Sequence, residues 1–124
     1  MSVVLHEIEN QSVTEVTGDG ILIPDAASAL QFMMEAAYSG STRIIFHQDN
    51  LAPAFFDLKT GLAGEILQKA SNYRVQLAIV GNFEAVQSSS LRAFIAESNR
   101  GRQNFFVKDV ASALAVLTQV TDNT

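Results

Sequence analysis

Three short apolar runs constrain this chain more than any other feature: Ile44-Ile45-Phe46, Leu77-Ala78-Ile79-Val80 and Phe105-Phe106-Val107. Each is too short for a helix and does not alternate with polar residues. Such runs read as strands covered on both faces, the mark of a parallel sheet. Parallel neighbours cannot be joined by a tight turn, so the intervening sequence must supply helical crossovers. The runs therefore predict an α/β fold before any site is considered.

The intervening segments fit. Asp25 follows Pro24 and is placed to cap the backbone N–H of Ser28, ahead of Leu30, Met33, Met34 and Ala37 at helical spacing. Pro53 suits the start of a helical turn, and Leu58, Leu62, Ile66 and Lys69 or Ala70 predict a second helix, with Gly61 and Gly64 inside it. One of Ser88, Ser89 or Ser90 caps a third helix, which carries Leu91, Phe94 and Ile95 and ends at Gly101. Asp109 caps a fourth with Val110, Leu114, Leu117 and Val120. Before all of these, Val3–Ile8 and Ser12–Thr17 read as a hairpin turning at Asn10-Gln11. Gly18-Asp19-Gly20 makes the next turn, and Ile21–Ile23 is a short extended piece. The expectation is a mixed, mostly parallel sheet with an N-terminal antiparallel hairpin and about four helices. It forms a single domain over residues 1–120, with a frayed tail at 121–124.

Composition then narrows the function. Eight basic residues against thirteen acidic ones give a net charge of −5. No basic cluster supplies the phosphate contacts that nucleic-acid binding needs, and an anionic membrane surface would repel the chain. Cysteine is absent, which removes disulfides, thiolate nucleophiles and cysteine-based metal sites. The N-terminal residues lack the basic-then-apolar order of a secretion signal, and no apolar run reaches the length of a membrane span. A cytoplasmic location is expected. Only 17% of residues are charged and the mean hydropathy is positive, so some apolar surface is expected to meet a partner.

From Arg43 to Val80 the sequence also resembles a known family. An apolar strand, a polar loop, then Phe55-Phe56-Asp57-Leu58-Lys59-Thr60-Gly61-Leu62, a helix and a second apolar strand is similar to the STAS domain. That is the fold of anti-sigma factor antagonists and of sulfate-transporter tails. Gly18-Asp19-Gly20 and Asp25 sit where that family turns into its first helix. The family's loop reads roughly apolar-Asp-Ser-Ser-Gly-Leu, and its first serine is the usual phosphate acceptor. Aligned on Gly61, this chain has Leu58, Lys59 and Thr60 in place of the Asp and the two serines; aligned on Asp57, it needs one residue more. Phosphorylation is therefore not carried over, and Thr60 is the one hydroxyl nearby. A second resemblance spans most of the chain. The stretches FFDLKTGLAGEILQK, AIVGNF and SLRAFIAESNRG look like motifs of a bacterial family, domain of unknown function 4180, which implies no particular chemistry.

In a parallel sheet, sites gather where loops leave the carboxyl ends of the strands. That edge collects the candidate binding residues Asp57, Lys59, Thr60 and Gly61, together with Asp49, Asn50 and Asn82. A plainer reading makes them caps, turn residues and a solvated lysine. Arg92, Glu97, Asn99 and Arg100 form a second polar group, read better as a helix end with cations near its C-terminus than as an anion clamp. No Gly-x-Ser-x-Gly elbow surrounds Ser88–Ser90. His6 and His47 lie on separate strands without metal-ligand spacing, and Glu7 and Glu9 read as a solvent-facing pair on one strand. One phenylalanine of each pair, Phe55-Phe56 and Phe105-Phe106, is expected in the core and the other is free to face a partner.

The expectation is thus a non-catalytic protein-interaction or regulatory module without cofactor or metal. A protein partner is expected, with a homodimer and a small anion as further options, and neither nucleic acid nor membrane insertion. The alternative is a small anionic-ligand-binding protein or minor enzyme using the same strand-end rim.

Overall fold

The computed structural model describes residues 1–119, so Val120 and the tail at 121–124 lie outside the described residues. β1 (Ser2–Ile8) and β2 (Gln11–Thr17) form the expected antiparallel hairpin. The chain then runs through α1 (Ala26–Tyr38), β3 (Arg43–His47), α2 (Leu62–Asn72), β4 (Gln76–Val80), α3 (Ser89–Arg100), β5 (Asn104–Val107) and α4 (Val110–Gln119). The sheet order is β1-β2-β3-β4-β5, with every pair after the hairpin parallel.

That order, with crossovers of one hand, sets where the helices lie. Each right-handed crossover moves the chain one strand further in the same direction, so successive helices stack on one face. Met33 and Ala36 of α1, Ile66 and Ala70 of α2, and Leu91 and Ile95 of α3 all join the core that contains Ile44, Phe46, Leu77, Ile79 and Phe106. α4 folds over the opposite face, where Ala113 and Leu117 meet Val13, Ile45, Ala78 and Phe105. Ile44, Ile45 and Phe46 are all fully buried, as their unbroken apolar run requires.

The caps agree with the sequence in detail. Asp25 accepts hydrogen bonds from the Ser28 backbone N–H at 2.9 Å and its hydroxyl at 2.8 Å. Of the three candidate serines, Ser88 is the cap and accepts from Leu91 N–H at 3.2 Å. Asp109 accepts from Ser112 N–H at 2.7 Å.

Other expectations are corrected. The hairpin turns at Glu9-Asn10, whose φ values of 50° and 70° are the left-handed pair of a tight two-residue turn. Glu9 is therefore in the turn rather than on the strand with Glu7. The second helix starts later than its apolar spacing suggests: Pro53–Phe56 and Leu58–Thr60 are separate 3-10 turns, and Gly61 stands outside α2 at φ 79°. Within the short piece 21–23, Ile23 makes one isolated parallel bridge to Leu51. Both Phe105 and Phe106 are buried, one in each core, so neither faces a partner.

Candidate functional site

The site begins from the register of two strands. β3 and β4 pair in parallel from Arg43↔Gln76 to His47↔Val80, so they end side by side and their exit loops leave together. The Gln48 side chain accepts the Asn82 backbone N–H at 3.0 Å and ties the two loops. This contact explains Gly81, since a Cβ there would lie 2.3 Å from the Gln48 Oε1 atom. Further out, Phe56 after β3 packs against Phe83 after β4, with ring centroids 6.1 Å apart. Phe83 meets Phe106 edge-on at 5.3 Å, and Phe55 meets Phe56 at 4.8 Å. An aromatic bed thus supports the rim, which leaves its polar residues on a rigid base.

The seven expected site residues divide by what their side chains do. Asp57, Lys59, Thr60 and Gly61 share one turn. Asp57 caps it by accepting Lys59 N–H at 3.3 Å. Thr60 Oγ1 donates within this turn, where the Ala54 and Asp57 carbonyls lie 2.6 and 2.8 Å away, and it accepts Leu62 N–H at 3.2 Å. Gly61 supplies the left-handed step into α2. Asn50 is turned inward and buried, its Nδ2 donating to the Gly18 and Gly20 carbonyls at 2.9 and 2.8 Å. Asp49, Lys59 and Asn82 are exposed, and among the described residues the Lys59 ammonium makes no ion pair or hydrogen bond. Asp49 borders an open depression of about 350 Å³ with Ile21, Gln48, Leu51, Pro53 and Phe56.

The second polar group does not form a clamp. Arg100 pairs with Glu97 at 3.1 Å, and the Asn99 amide brackets the Phe106 backbone, accepting from its N–H at 2.8 Å and donating to its carbonyl at 3.2 Å.

One cluster escapes the sequence. Glu15 on β2 is buried and bridges two histidines: His6 Nε2 on β1 lies 2.8 Å from Oε1, and His47 Nε2 on β3 lies 2.6 Å from Oε2. An ionised carboxylate only accepts, so each imidazole presents Nε2–H to it. Burial by itself would raise the Glu15 pKa; the hydrogen bonds from His6 and His47, with their charge, outweigh it and hold it below the ordinary value. The three residues stand on separate strands, and bringing them together requires the β1–β2–β3 register, which periodicity does not supply. Among the described residues, no group of three or more His, Cys, Asp or Glu is arranged to hold a metal ion.

Residues 8–117 match the family model described as a domain of unknown function, DUF4180. The chain belongs to this DUF4180 family. No curated protein and no solved structure is significantly similar to it. The matched segment runs from the end of β1 into α4 and so takes in the whole strand-end rim and both cores of this DUF4180 member. No helix among the described residues is long and apolar enough to cross a membrane.

Proposed function

We propose that this DUF4180 domain is a non-catalytic protein-interaction module, similar in its mode of use to STAS domains, that docks a protein through the rim formed by the loops after β3 and β4. The observation that carries this reading is the division of labour on the rim. Thr60, Gly61, Asn50 and the Asp57 carboxylate are engaged in building it, while Lys59, Asp49 and Asn82 stand outward on a base fixed by Gln48 and Phe56. Outward groups of both charge signs on a rigid support suit recognition by shape and charge, which sets specificity and encounter rate.

The small-anion alternative is less well supported at this place. The start of α2 already has Thr60 Oγ1 on Leu62 N–H and carries Glu65 in its first turn, so its field is answered by the chain's own groups. A chain without cysteine and with a net acidic charge is at home in the cytoplasm, where we place its work.

The experiment is affinity capture from native extract with wild type, Lys59→Glu and Tyr73→Ala side by side. Tyr73 is exposed at the end of α2. The reading predicts a discrete protein held by wild type and Tyr73→Ala and lost at least tenfold with Lys59→Glu. Equal capture by all three, or none above background with bait and prey exchanged, contradicts it. A thermal-shift screen separates the alternative: a rise of several degrees with an anionic metabolite, abolished by Lys59→Ala, would favour ligand binding.

A further inference from the structure

The two edges of the sheet are treated differently. β5 is short, and the Asn99 amide occupies the N–H and C=O of Phe106 as a neighbouring strand would. β1 is seven residues long, contains no proline, and among the described residues carries no strand on its outer side. Val3, Val4 and Leu5 are 53%, 40% and 51% exposed. Proteins usually blunt such an edge with charge, proline or a bulge, and between Ser2 and Leu5 this one has none of these.

The hairpin fixes which backbone groups are available. Ile8 and Gln11 flank the two-residue turn and exchange both hydrogen bonds, and bonded and non-bonded pairs alternate from there. Ser2, Val4, His6 and Ile8 therefore spend their N–H and C=O groups on β2. Val3, Leu5 and Glu7 aim theirs outward.

We propose that β1 pairs antiparallel with β1 of a second copy of this chain, joining two sheets across a two-fold axis at Val4. In that register Val3 of one copy faces Leu5 of the other as a hydrogen-bonded pair, Val4 faces Val4, and Ser2 faces His6. Outward groups meet outward groups, and apolar side chains meet apolar ones. Sliding by two residues one way sets Glu7 against Val3; sliding the other way sets Ser2 against Val4. The charges agree as well. Two chains of net charge −5 repel, yet residues 2–5 are uncharged, and Glu7 and Glu9 fall at or beyond the far ends of the paired stretch. The axis is perpendicular to the sheet, so the two rims point in opposite directions and the dimer presents one docking rim at each end. The register pairs Ser2–His6 of β1 on each side, well below the roughly 20–30 residues of a standard interface, so the dimer is weak and its population rises with protein concentration.

The absence of cysteine makes the test clean. A non-hydrogen-bonded pair holds its Cα atoms about 4.5 Å apart, within disulfide range. Val4→Cys should cross-link to a covalent dimer under mild oxidation at about 50 µM, roughly tenfold or more faster than Tyr73→Cys, because the pairing holds the two Val4 positions within disulfide range and leaves Tyr73 outside it. Adding Leu5→Pro removes an outward N–H without touching the β2 ladder and should abolish the cross-link while the circular dichroism spectrum persists. Val3→Lys, which leaves the backbone intact, should do the same if Leu5→Pro misfolds. Wild-type sedimentation should show mass rising towards the dimer with concentration. Val4→Cys cross-linking no faster than Tyr73→Cys, cross-linking undiminished by Leu5→Pro and Val3→Lys, or a wild type that stays monomeric throughout, each overturns the proposal.

Discussion

Burying the Glu15 carboxylate between two imidazoles links the stability of the fold to pH. Folding lowers its pKa, so its contribution is complete above the unfolded value and disappears as pH falls through the folded one. Thermal melts should therefore lose stability as the pH falls below the ordinary glutamate range, and not above it. Glu15→Gln should cost about 2 kcal/mol at neutral pH, from hydrogen bonds to a charged group, and should flatten that acid limb. An acid limb unchanged in the variant would show that other carboxylates carry it. Asn50 offers a second check: Asn50→Ala leaves the Gly18 and Gly20 carbonyls without their donor and should destabilise by about 1–3 kcal/mol in denaturant titration. At this scale the sequence was only partly legible. Asp25 and Asp109 were readable as caps because a cap bonds within three residues. His6, Glu15 and His47 were not, since residues 6, 15 and 47 meet only once three strands are in register. Asn50 was placed correctly at the strand end, but nothing local says that its amide turns inward to the Gly18–Gly20 loop.

Elements were read from apolar spacing, and spacing fails where a turn has nearly the same period as a helix. Leu58 keeps phase with Leu62 and Ile66, so the second helix looked longer than α2; the left-handed Gly61 is what separates the 3-10 turns from it. A Gly61→Ala substitution is strained by its φ alone and should destabilise by about 1 kcal/mol or slightly more, although open space surrounds the position. Ser88→Ala tests the α3 cap and should cost about 0.5–2 kcal/mol in thermal or chemical unfolding. The strands were the most legible elements, because continuous burial on both faces leaves an unbroken apolar run at β3 and β4. The edge strand β1 was recognised as a strand, but its open side follows from the hairpin geometry and from β5 being closed by Asn99, and neither is written in local sequence.

For the whole molecule, alternation of strand and helix together with right-handed crossovers was enough to anticipate the parallel neighbours β3 and β4, and with them the convergence of the loops that form the rim. What alternation could not supply is which rim groups are spent on structure. Thr60, the one hydroxyl near the motif, proves to be a turn-building group, whereas Lys59 beside it remains available. The central claim is that proteins dock at this rim, and site-specific photo-crosslinking in cells tests it most directly. A photoreactive residue at Lys59 or Asn82 should give the same discrete protein adduct, and one at Tyr73 or Tyr38 should not. Adducts absent from both rim positions, or equally strong from the two tyrosine positions, would contradict the account.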